Sequence, residues 1–143
     1  MKKIVLFLIV LVGLAVIGYL TNPTEAMHRE AGKEKLEKIS ENLLSGYGID
    51  PRILSALGID FQGKFVEELI TNHIYRDNYY VFSLTKVNWE DQNQIVGLGF
   101  FNKVYISNQV DDIIKKEVEN YIKEKIRELK IPFFDLNSLE LDL

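Results

Sequence analysis

The chain has no cysteine, three prolines, two histidines and a single tryptophan among its 143 residues. Without thiols there is no disulfide framework, no cysteine nucleophile, no lipid-modified cysteine and no thiolate metal site, so the fold must hold by packing alone. The two histidines, His28 and His73, lie far apart, and His28-Arg29-Glu30 lacks the Pro-Cys-x-x-Cys half that a zinc deaminase site requires, so no metal site is expected. Excess positive charge is missing too. Setting aside Lys2 and Lys3, 15 of the 17 Lys and Arg remain against 21 Asp and Glu, a net of −6. Such a balance disfavours nucleic acid as a partner, because phosphate attraction needs a basic footprint.

The chain does have one long apolar run. Ile4 to Leu20 carries no charge and as a helix would measure about 26 Å, close to the hydrocarbon core of a bilayer. Lys2 and Lys3 precede it and Tyr19 lies near its end, placing interfacial groups at both boundaries. Residues 1–22 therefore read as an uncleaved membrane anchor. Positive charge before the run puts the N-terminus in the cytoplasm and the rest outside. The alternative is a cleaved signal that leaves a secreted domain. Against it, the nearest small-x-small site, Thr24-Glu25-Ala26, follows Pro23 and carries a charge, and the run is longer than a usual signal core.

Residues 23–143 read as one α+β domain, with helices packed on a small antiparallel sheet of two to four strands. Pro23-Thr24-Glu25 opens a long amphipathic helix ending at Ser45-Gly46. Its apolar stripe is thin from Met27 to Lys35, which makes residues 23–35 a candidate stalk between membrane and core. Asp50-Pro51 caps a short helix through Leu57, and Lys64 to Asn72 reads as another. Aromatic and β-branched density from Asn78 to Val87 predicts one strand, the polar stretch Asn88 to Asn93 a turn, and Gln94 to Phe101 a second strand. Lys103 to Ser107 continues that strand or forms a third. Gly97 and Gly99 share a face on which a helix or ring can come close, or beside which the strand can bulge. A helix from about Val110 to Lys130, capped by Ser107 or Asn108, is expected to cover the sheet, and the tail from Phe133 to add an edge strand or bind a partner.

No catalytic motif emerges. Asp111-Asp112 and the other acidic pairs suit helix starts and solvated surface, no Gly-x-Ser-x-Gly elbow is present, and Gly97-x-Gly99 lacks the third glycine of a dinucleotide loop. Gly97-Leu98-Gly99-Phe100 spells the carboxylate loop of PDZ domains, but too few elements follow it for that fold. Arg76, Asn78 and Tyr79 are the one candidate ligand edge, with arginine suited to a carboxylate or phosphate; the plainer reading is that they start a strand.

The strand pattern Asn78-Tyr79-Tyr80-Val81-Phe82-Ser83-Leu84-Thr85-Lys86-Val87, followed by Val96-Gly97-Leu98-Gly99-Phe100-Phe101-Asn102-Lys103-Val104-Tyr105, resembles a family of small bacterial proteins grouped as a domain of unknown function. The resemblance implies a bacterial source and membrane association and supplies no catalytic residue. The function expected is a non-catalytic, membrane-anchored extracytoplasmic module that binds an envelope or membrane protein, with lipid contacted through the helix and no cofactor. The alternatives are a small hydrolase or ligand sensor using Arg76 and acidic residues, and a structural spacer.

Overall fold

A computed structural model of the chain describes residues 2–56, 58, 61–89 and 92–128. The expected tail strand from Phe133 and the last residues of the final helix lie outside them. Within them the chain is α+β, with five α-helices and a four-stranded antiparallel sheet.

Helix α1, Lys2–Leu20, is apolar throughout at a mean hydropathy of 2.7 and could span a membrane. Its large side chains from Ile4 to Leu20 are at least half exposed on every side. Left in water, each would forgo on the order of 1.5–3 kcal/mol of burial. The helix leaves the domain at Gly18, its one buried residue.

Helix α2, Glu25–Gly46, is capped by Thr24, whose side chain accepts from the Met27 N–H. The solvated stalk expected over residues 23–35 is not found. Pro23 and His28 are fully buried and Gly32 is buried, because α2 lies on the sheet from its first turn. The stripe looked thin because the residues facing the sheet there are histidine and glycine rather than large apolar side chains.

Helices α3, Pro51–Ala56, α4, Val66–His73, and α5, Asp111–Glu128, complete the helical layer. Leu36 and Leu44 of α2 meet Leu54 of α3, Val66 and Ile70 of α4, and Val118 and Ile122 of α5 in the main core. A smaller cluster of Val87, Val96 and Val110 lies against the sheet with Ile114. Helix α5 was expected to cover the sheet. Instead α2 covers it, and α5 packs mainly on α2, to which a Lys35–Asp111 ion pair of 2.8 Å ties its start, with only its first turn reaching the strands.

The strands β1, Ile74–Asn78, β2, Ser83–Trp89, β3, Gln92–Phe100, and β4, Lys103–Ile106, pair in chain order as an antiparallel meander. The single strand expected from Asn78 to Val87 is in fact a turn followed by β2. Asn78 pairs with Ser83, and the four residues between them reverse the chain. Tyr80 takes φ +64°, and its N–H bonds to the Asn78 side chain at 2.9 Å. That side-chain bond lets aromatic residues occupy a turn that their strand propensity argued against.

The β3–β4 connection is a two-residue turn in which Phe101 and Asn102 both have positive φ, the geometry that suits a twisted hairpin. A left-handed conformation costs an ordinary L-residue about 1–2 kcal/mol, so Tyr80 and Phe101 each carry strain. Between β2 and β3, Thr85 pairs with Gly97 and Lys86 with Ile95, leaving Val96 as an extra residue that turns into the core.

At Gly99 a Cβ would lie 2.7 Å from His28 Nε2 and 2.8 Å from Ser83 Oγ. Gly99→Ala is therefore expected to lower stability by about 1–3 kcal/mol in denaturant unfolding of the full chain in detergent. Gly46→Ala, where nothing lies within 4 Å, should shift it by no more than about 0.5 kcal/mol.

Candidate functional site

Alternation along β1 and β2 sends Arg76, Ser83 and Thr85 to the face that α2 covers, and Asp77, Leu84 and Lys86 to the opposite one. On the covered face, His28 of α2 reaches into the sheet. Its Nδ1 lies 2.6 Å from Thr85 Oγ1 and its Nε2 2.8 Å from Ser83 Oγ. As a neutral ring, one nitrogen donates to one hydroxyl and the other accepts from the second. Gly99 and Gly97 of β3 leave room above this cluster: a Cβ at Gly97 would come 2.7 Å from Thr85 Oγ1.

A serine hydroxyl on an imidazole nitrogen is half of a hydrolytic triad, which gives the pair a chemical reading to test. Two features oppose it. The group facing the other nitrogen is a neutral threonine, where a triad places a carboxylate to stabilise the imidazolium. Ser83, Thr85 and His28 are all 0% exposed, so no substrate carbonyl reaches Ser83 Oγ in this conformation. What the geometry does is join α2 to β2 through a fully buried, fully paired polar contact, whose loss would leave hydroxyls unpaired. Sequence reasoning missed this cluster because its members lie far apart in the chain; the signal was the pair of glycines on one face of β3.

Burial pushes the His28 pKa below its ordinary 6.5, the positive charge of Arg76 pushes the same way, and Glu25 opposes them. The other histidine, His73, ends α4, where its Nδ1 donates to the Asn88 carbonyl at 2.7 Å and its ring lies 4.7 Å from that of Trp89.

The candidate edge of Arg76, Asn78 and Tyr79 divides in two. Arg76 Nη2 donates to Asn78 Oδ1 at 3.0 Å, and Asn22 Nδ2 donates to the same oxygen at 2.8 Å. Tyr79 stacks on Phe82 and donates from its hydroxyl to Asp77 Oδ2 at 3.2 Å. Arg76 and Asn78 thus join the segment between α1 and α2, with the Tyr79 side chain outside their network. Asn22 Nδ2 also donates to the carbonyls of Tyr80 and Phe82, at 2.8 and 3.1 Å. The Asn102 N–H donates to the Thr21 carbonyl at 2.6 Å, Pro23 is fully buried, and Gly18 packs on Val81. Both hairpin tips therefore grip the end of the apolar helix.

Among the described residues no cluster of three or more His, Asp or Glu has the spacing to hold a metal ion. Arg76 lines none of the cavities described. The roomiest, ≈ 500 Å³ between α2 and α4, presents Arg29, Lys33, Glu30 and Glu67, a mixture of both signs. On the uncovered face of the sheet, Ile95, Leu98 and Tyr105 are 40–55% exposed around the Lys86–Asp77 ion pair of 2.6 Å.

No family model matches the chain, and neither does any curated protein or solved structure.

Because the His28 pKa is lowered in the folded state, the unfolded chain takes up its proton first as pH falls, so stability is full above about pH 6.5 and declines below it, by at most about 1.4 kcal/mol per unit. Thermal unfolding of the full chain in detergent should show this loss between pH 7 and pH 5. In His28→Gln, which retains a hydrogen-bonding side chain but no titration, unfolding should occur at lower temperature at pH 7.5 and vary less over the same range.

Proposed function

We propose that the chain is a membrane-anchored, non-catalytic binding module, set outside the cytoplasmic membrane with its N-terminus inside, that presents the uncovered face of its sheet to a protein in the same envelope. The observation that carries this reading is the grip on Thr21, Asn22 and Pro23: the apolar helix continues into the domain without a free linker. A domain tethered only for retention has no need of such a joint. One that must meet a partner at a fixed height and orientation does, because the joint removes the freedom that binding would otherwise have to freeze.

Several features support the choice of face. The face opposite α2 leaves Ile95, Leu98 and Tyr105 exposed beside one ion pair, and apolar side chains rimmed by paired charge suit a protein surface. The orientation rests on Lys2 and Lys3 ahead of the helix. A bacterial source, as the family resemblance implies, fits an envelope partner. The hydrolase reading gains no observation in its favour, since the serine–histidine pair is sealed and Arg76 is tied to Asn78.

Because the chain has no cysteine, Leu98→Cys offers one thiol on the proposed face. A membrane-impermeant maleimide carrying a photoreactive group is expected to label it on intact source cells and, on irradiation, to give one discrete adduct with a different protein. Arg52→Cys should label and give no such adduct. Failure to label intact cells contradicts the orientation. An adduct of twice the chain mass, or equal adducts from both positions, contradicts the assigned partner face.

A further inference from the structure

The two hairpin tips that grip the apolar helix carry a feature that holding it does not require. Tyr80 is 70% exposed, Val81 39% and Phe101 49%. Tyr80 and Phe101 both sit at positive φ, where asparagine or glycine would adopt the conformation without strain. Bulky aromatics kept in strained, solvent-facing turn positions point to a use for those side chains at those points.

Their level along the helix indicates what they meet. Val81 packs against Gly18, which places the β1–β2 tip about 4.5 Å back along the helix axis from Thr21. Phe101 precedes Asn102, whose N–H is bonded to the Thr21 carbonyl. Tyr19 and Leu20, 62% and 73% exposed, face outward at the same level. Tyr80, Val81 and Phe101 on the two tips thus lie, with Tyr19, near the point where the helix leaves the domain, and Lys103 is exposed just behind Phe101. The residues from Asn78 to Phe82 and from Phe100 to Asn102 carry no charge, whereas the sequence between β2 and β3 is Glu90-Asp91.

We infer that the β1–β2 and β3–β4 tips, through Tyr80, Val81 and Phe101, rest in the headgroup layer of the bilayer that α1 crosses, so that the domain docks directly on the lipid surface. Tyrosine and other aromatic rings favour that layer, with the apolar body toward the acyl chains and any polar end in water. Lys103 is placed for lipid phosphates. The inference rests on the reading of α1 as a membrane helix, and it adds a second lipid contact made by the sheet.

Single nitroxide labels on the otherwise cysteine-free full chain test it, at Tyr80→Cys, Phe101→Cys, Asn93→Cys and Ile9→Cys, in phosphatidylcholine–phosphatidylglycerol nanodiscs. The readout is the ratio of collision with oxygen, which partitions into lipid, to collision with a water-soluble nickel chelate. At positions 80 and 101 this ratio should be at least about threefold higher than at position 93, with position 9 higher still. Equal ratios at 80, 101 and 93 with a lipid-exposed position 9 overturn the inference and leave the anchor standing. Water exposure at position 9 overturns both.

Discussion

Two N–H bonds of one asparagine amide, shared among three oxygens, hold the halves of this protein together. Asn22 Nδ2 meets Asn78 Oδ1 and the carbonyls of Tyr80 and Phe82, all in or beside one turn. The turn, in turn, keeps its shape because the Tyr80 N–H is held by that same Asn78 oxygen. Remove the amide and the Tyr80 carbonyl loses its donor, the Phe82 carbonyl keeps only the Tyr79 N–H, and the Arg76–Asn78 contact loses its third member. The buried Pro23 and the bond from Asn102 to Thr21 complete the joint from the other hairpin. The apolar helix and the sheet consequently share one turn of backbone, which neither could vary without the other.

The second fixed point is His28, one helical turn into α2. Its ring spans Ser83 and Thr85, and two glycines on β3 make the space for it. A buried polar group stabilises a particular packing only when every member is paired, and this one is. The same pairing explains why a serine beside an imidazole is inert as placed: each hydroxyl is occupied and enclosed. Together the asparagine and the histidine set where α2 starts and how it lies on the sheet, and the apolar core of α2, α4 and α5 then closes behind it.

Periodicity made much of this legible. The 3.6-residue stripe of α2 and α5, the capping by Asp50, and the apolar run of α1 all follow from local chemistry that does not depend on partners, whereas Pro23, read as the first turn of α2, precedes the cap residue Thr24. The meander was half legible. Asn78 to Val87 read as one strand because Tyr, Val and Phe favour strands, and what bends them is a side-chain bond from Asn78 together with Asn22, 56 residues earlier. The stalk was misread for a related reason: the buried face of the first turns of α2 is His28 and Gly32, which hydropathy does not mark as core. Arg76 and Asn78 stood out in the sequence only, with Tyr79, as a candidate ligand edge, and their use in seating the helix depends on contacts across the fold that no spacing rule encodes.

The central claim is that helix and domain form one rigid body, and the distance between spin labels at Val10→Cys and Arg52→Cys in nanodiscs tests it most directly. A joint held by Asn22, Pro23 and Thr21 predicts one narrow distance distribution that broadens in Asn22→Ala. A broad distribution in the unaltered background, unchanged by Asn22→Ala, would mean that the domain swings on a free linker and would contradict the account.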